Sequence, residues 1–120
     1  MKNSVFIVLS FSALLFLSIS SCVVFQGKTN DSKVKSTFAV QGRCTMCKNT
    51  IESAAEKPDG VFWAEWDGEL KQVTVKFDST MVNIDDIERQ IALAGYDTPN
   101  HKAEDDVYNS LPGCCKYERQ

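Results

Sequence analysis

The stretch from Val61 to Asp78 constrains this chain more than any other. The runs "VFWAEWD" and "KQVTVKFD" flank Gly68-Glu69-Leu70, and in the second run Val73, Val75 and Phe77 alternate with Gln72, Thr74 and Lys76 without a slip. Strict period two on either side of a glycine-bearing break specifies a β-hairpin. Only one of its faces is apolar, so the sheet it joins is packed on one side. In the first run Ala64 and Trp66, with Val61 at the start, form the inward set, which leaves Trp63 on the open face.

The flanking segments supply the cover. Upstream, "STFAVQ" (Ser36 to Gln41) alternates Phe38 and Val40 with small or polar neighbours and reads as a first strand. Gly42 breaks it, and "CTMCKNTIESAAEK" then places Cys47, Ile51, Ala54 and Ala55 on one helical face before Pro58-Asp59-Gly60 turns the chain. Downstream, "MVNIDDIERQIALAG" spaces Ile84, Ile87, Ile91 and Ala94 as a helix. Asn83 is placed to cap it, Asp85 and Asp86 complement its dipole, and Gly95 suits the left-handed position after its end. "YDTPN" supplies a short last strand, at an edge because Pro99 cannot donate to a ladder. This order is the split βαβ, ferredoxin-like βαββαβ arrangement: an α+β fold with a four-stranded antiparallel sheet and both helices on one face. It occupies residues 36–100.

The start of the chain, through Cys22, has another purpose. "MKNSVFIVLSFSALLFLSISSC" joins one positive charge at Lys2 to an apolar run from Val5 to Leu17 and small residues at Ser20 and Ser21, the pattern of a secretory leader. The run is shorter than the roughly 20 residues a spanning helix needs. Ile19-Ser20-Ser21-Cys22 resembles the bacterial lipoprotein cleavage box, which makes Cys22 the expected lipidation site and the membrane a partner through that lipid. The absence of Asp after Cys22 points to the outer membrane, facing the periplasm. Residues 22–35 are mostly polar and aperiodic, as a flexible tether is. With 16 acidic residues against 13 basic ones, and no basic stripe to neutralise phosphates, nucleic acid is excluded as a partner.

Chemistry concentrates in Cys44-Thr45-Met46-Cys47, between the first strand and the first helix. Cysteines three apart at a helix start can aim their sulfurs at one spot, where unpaired N–H groups favour thiolate over thiol. Thiolates are soft ligands, suited to Cu(I), Zn(II) and other thiophilic ions. With this motif in this element order the chain resembles the heavy-metal-associated domain family, which includes copper chaperones, the periplasmic mercury-binding protein and the N-terminal modules of copper-transporting ATPases. The resemblance runs from about Ser36 to Thr98 through Gly42, Cys44, Cys47, Thr50-Ile51-Glu52, Gly60-Val61, "VTVKFD" and "IALAGYD". It implies one soft ion held by Cys44 and Cys47, with Cu(I) ahead of Hg(II) and Zn(II). It further implies transfer by ligand exchange to a metal-transporting ATPase or another metal acceptor or donor protein, and no enzymatic activity. Family members usually read Gly-Met-x-Cys-x-x-Cys; here Gly42-Arg43-Cys44 is one residue shorter and lacks that Met. Met46, between the two cysteines, either packs inward in its place or stands in solvent. Tyr96 matches the aromatic that bacterial members place near the metal loop, with a supporting or packing role.

The tail, residues 101–120, carries a second pair in Leu111-Pro112-Gly113-Cys114-Cys115. A short helix from Ala103 to Ser110 precedes it, with Val107 and Leu111 at helical spacing. If the last strand runs away from the metal loop, a helix of that length and three extended residues reach about 22 Å, just enough to return to it. A bridge between Cys114 and Cys115 is disfavoured, because adjacent Cα atoms are about 3.8 Å apart and most bridges need more. Three arrangements stay open: a disulfide to Cys44 or Cys47, a third or fourth thiolate on their metal, or a separate pair that captures metal or a partner, as in a metal-bridged dimer. His101, the single histidine, is more simply a bystander.

Two other functions compete. C-x-x-C at a helix start is also the thiol-disulfide oxidoreductase arrangement, though no Trp precedes Cys44 and only a hairpin and two helices need follow it. A disulfide-stabilised structural lipoprotein is the third reading. There is no nucleophile with its base, no paired carboxylate site and no phosphate loop, so hydrolytic and transferase chemistry have no foothold.

Overall fold

In the computed structural model, which describes residues 31–120, the hairpin is the centre of the sheet and one of its edges. The leader, Cys22 and the first part of the tether fall on residues 1–30 and lie outside the described residues. The elements are β1 (Lys33–Ala39), α1 (Thr45–Ala55), β2 (Val61–Asp67), β3 (Gln72–Asp78), α2 (Ile84–Leu93) and α3 (Asp105–Ser110), followed by a 3-10 turn at Gly113–Cys115. The sheet order is β1-β3-β2, with both pairings antiparallel.

Asp67 closes the hairpin by accepting the Glu69 and Leu70 N–H groups at 2.8 and 2.9 Å, an Asx turn that lets Lys71 take up φ 54°. The same two N–H groups hold the Asp67 carboxyl below its ordinary pKa. Register then pairs Trp66 with Val73 and Ala64 with Val75. A bulge between Val61 and Trp63 makes Phe62 the extra residue, so Val61 still faces inward opposite Phe77 while Trp63 meets Lys76 on the open face. There Lys35 Nζ stands 5.5 Å from the Trp63 ring centroid. The inward set expected from alternation is the one observed.

Both helices cover the apolar face, where Val73, Val75 and Phe77 pack in one core with Ile51, Ile87 and Ile91. The buried residues of α1 are Cys47, Ile51, Ala54 and Ala55, the face its spacing specifies. Asn83 caps α2 by accepting the Asp86 N–H at 2.9 Å, and Gly95 follows the helix at φ 104°.

Three expectations are corrected. The strand β1 begins at Lys33, inside the stretch read as tether, because β3 is long enough to offer Lys33 and Val34 partners at Asp78 and Phe77. The tail helix α3 starts at Asp105 rather than Ala103, which is buried instead. The fourth strand over Tyr96–Asn100 is not formed, so the sheet has three strands among the described residues. Its backbone donors are committed elsewhere: Asp97 N–H to the Tyr117 hydroxyl (2.9 Å), Thr98 N–H to the His101 carbonyl (2.8 Å) and Asn100 N–H to the buried Glu88 carboxylate (2.9 Å). Pro99 has none to give.

Candidate metal centre

The loop from Val40 to Cys44 is held from three sides. Val40 N–H donates to the Lys71 carbonyl at 3.0 Å, the Trp66 indole N–H to the Val40 carbonyl at 3.0 Å, and Lys71 Nζ to the Gly42 carbonyl at 2.7 Å. Gly42 lies so close to Trp66 that an added Cβ would stand 2.7 Å from its ring, so no side chain fits without a shift. From this anchored loop Cys44, extended at φ −139°, takes the N-cap position of α1, and its carbonyl accepts the Lys48 N–H at 3.1 Å.

The sulfurs of Cys44 and Cys47 are 3.3 Å apart, and Cys115 Sγ lies 3.7 Å from Cys44 Sγ. All three sulfurs are within 4.8 Å of one another. Cys47 and Cys115 are buried and Cys44 is partly exposed, giving a cluster with one open side. Cys114 is exposed at its rim, 3.9 Å from Cys115 Sγ. All four are free thiols rather than disulfides.

Their ionisation differs sharply. Cys44 is drawn down to about 6, first by the Cys47 backbone N–H at the open end of α1, then by the Cys47 thiol, with smaller help from Cys114 and Cys115 against the cost of burial. That N–H favours the anion without closing a full capping hydrogen bond. Burial foremost, then the neighbouring Cys47 thiol, pushes Cys115 up to about 12. At neutral pH the cluster is therefore a thiolate at its exposed corner beside a protonated thiol in its floor.

The tail is clamped in place by residues that sequence reasoning passed over. The Tyr117 hydroxyl accepts the Asp97 N–H and donates to the Gly95 carbonyl, each at 2.9 Å. Arg119 grips the Asp97 carboxylate through two nitrogens at 2.9 Å, the fork-on-fork geometry that suits Arg. Arg43 donates to the Lys116 carbonyl at 3.0 Å, tying the tail to the metal loop itself. Leu111 fills the space above Gly95, with a methyl 3.0 Å from where a Cβ would be. A signal for this was present: Cys115, Tyr117 and Arg119 alternate with Lys116 and Glu118, and it is the first set that turns inward.

Tyr96 is fully buried, its ring stacked on Tyr117 at 6.0 Å. Its hydroxyl makes no close hydrogen bond, and burial foremost, then weak contact with the Cys115 and Cys47 thiols, drives its pKa far up. Met46 is 53 % exposed, so it does not pack beneath the loop; one residue before the buried Cys47, it lies off the core face of α1. His101 binds Asp85 through Nε2 at 2.7 Å and is not part of the cluster.

Fold and site together define a small α+β domain that presents a sulfur cluster where its first strand passes into its first helix. Residues 37–97 match the family model of the heavy-metal-associated domain, and the chain belongs to that family. It is 39 % identical over 54 residues to the copper chaperone CopZ of Staphylococcus haemolyticus, a match spanning 45 % of this chain and 79 % of the relative. Among solved structures, a CopZ metallochaperone superposes with TM-score 0.53 at 33 % identity, covering 54 % of this chain and 98 % of its own. The Cu(I)-loaded N-terminal domain of a potential copper-translocating P-type ATPase from Bacillus subtilis gives 0.52 at 28 %, covering 55 % and 84 %. The family match ends at Asp97, so the segment carrying Cys114 and Cys115 lies beyond it.

Proposed function

We propose that this chain is a metal carrier that captures a soft ion, Cu(I), between Cys44 and Cys47 and passes it on, rather than an enzyme. The observation that carries this reading is the Cys44–Cys47 sulfur pair, 3.3 Å apart at the open N-terminus of α1 in a domain of this family. Hg(II) and Zn(II) are thiophilic ions that the same sulfurs can also take. Cys44, partly exposed and thiolate at neutral pH, is the sulfur that meets an incoming ion. In transfer, a first acceptor thiolate forms a bond to the ion as the Cys44 bond breaks, and a second replaces the Cys47 bond, with no change in oxidation state. Likeness to a copper chaperone and to a P-type ATPase domain supports a metal-transporting ATPase as acceptor. The leader and the Cys22 box support a lipoprotein of the cell envelope, at the outer membrane facing the periplasm.

The depressed pKa of Cys44 also favours a second reading, thiol-disulfide exchange. Anaerobic incubation of the Cu(I)-loaded chain with an apo ATPase metal-binding domain, followed by separation, distinguishes them. Copper that redistributes between the two proteins supports the carrier. Failure to load copper, together with rapid reduction of insulin disulfides, overturns it in favour of the oxidoreductase.

A further inference from the structure

We propose that Cys115 is a third ligand of the same ion, so that the tail turns a two-sulfur transfer loop into a three-sulfur retention site. This rests on the Cys44–Cys47 reading and adds to it a residue outside the family match.

Two independent observations carry it. The first is geometric. Metal–thiolate bonds are about 2.3 Å, so an ion at the centre of three sulfurs sets them about 4 Å apart. The sulfurs here stand at 3.3 and 3.7 Å from Cys44, with no pair beyond 4.8 Å, so small side-chain adjustments accommodate the ion. The second is the buried Tyr96 hydroxyl, which makes no close hydrogen bond and faces only the Cys47 and Cys115 thiols. A buried donor left unpaired is costly. A metal-bound thiolate, with its surplus negative charge, is a stronger acceptor for it than either thiol, and the helix N-terminus of α1 supplies further compensation.

Cys115 is not left to find the site by diffusion. Tyr117, Arg119 and Arg43 hold the backbone on its C-terminal side at the metal pole, and Leu111 packs on the N-terminal side. Loading displaces the Cys115 proton to solvent as its bond to the ion forms. Handing the ion to an acceptor then requires one more bond to break than in a two-sulfur site.

The test uses the full chain, loaded anaerobically with one equivalent of Cd(II), whose charge-transfer absorption grows with each cadmium–sulfur bond. Wild type, Cys115→Ser and Cys114→Ser are compared. Cys115→Ser is expected to lose the share of that intensity carried by one bond of three, while Cys114→Ser retains it. In a Cu(I) competition, Cys115→Ser is expected to bind its ion more weakly by no less than the roughly 10–100-fold in affinity that removing a mere hydrogen-bond partner of a ligand costs. Because Cys115 is buried and its variant can misfold, X-ray absorption of Cu(I)-loaded wild type gives an independent count, expected to be three sulfurs. Two sulfurs in wild type, an unchanged Cys115→Ser spectrum, an equal loss in Cys114→Ser, or a disulfide at Cys115 in the purified chain overturns the proposal while leaving Cys44 and Cys47 as ligands. A wild type that binds neither Cd(II) nor Cu(I) overturns both readings.

Discussion

Replacing Tyr117 with Phe removes one oxygen and tests how the tail is held. That hydroxyl links the Asp97 N–H and the Gly95 carbonyl at 2.9 Å each, and Tyr117 is 4 % exposed, so neither partner gains water when it goes. Leaving a buried polar group unpaired costs about 1–3 kcal/mol. Two such groups, with some relaxation, put the weakening of tail docking at about 2–4 kcal/mol, and every 1.4 kcal/mol is tenfold in population. The open-tail population should therefore rise roughly 30-fold or more. The assay is alkylation of Cys115 in a Cys114→Ser background without metal, followed by mass spectrometry. Cys115 is 1 % exposed in the docked tail, so its labelling reports opening. A rate that rises at least tenfold in Tyr117→Phe agrees with the structure. Equal rates would show that the Tyr117 bridge does not hold the tail, and the placement of Cys115 would lose its basis.

The remaining predictions concern other parts of the clamp, loop and cluster. Burial opposes ionisation of Asp97, but Arg119 and the Ala103 N–H outweigh it and hold its pKa low; its contribution is present above the unfolded carboxyl value of about 3.9 and is lost as pH falls through the folded value. Tail docking, followed by the Tyr117 ring resonances, should thus be pH-independent near neutrality and fail in acid, and Asp97→Asn should be weakened at neutral pH with that acid step gone. Gly42→Ala forces a Cβ against the Trp66 ring and Ile51 Cδ1, so urea unfolding should show a loss of about 1–3 kcal/mol, the usual cost of overpacking. Alkylation of the metal-free chain should proceed first at Cys44 with a midpoint near pH 6, since Cys115 stays protonated to about 12.

The parts legible in the sequence are those whose cause is local. Alternation in "VTVKF" and the spacing of Cys47, Ile51 and Ala54 report which face is buried, because each is set within one element. Asn83 and Gly95 mark the ends of α2 for the same reason. The missing fourth strand was not legible, because "YDTPN" is decided by Tyr117 and Glu88, which take its donors from 20 and 12 residues away. Nor does adjacency say which of Cys114 and Cys115 turns inward. That depends on the register in which Tyr117 and Arg119 lock onto Asp97. Period two in "CKYER" was readable in principle, but in a short tail it looks like any polar segment until the partners are known.

The central claim is that Cys44 and Cys47 hold a soft ion, and anaerobic Cu(I) titration against a strong competing chelator tests it most directly. The account predicts a single Cu(I) taken up per chain by wild type, and no competition with the chelator by Cys44→Ser/Cys47→Ser. Copper affinity that survives loss of both cysteines would contradict it.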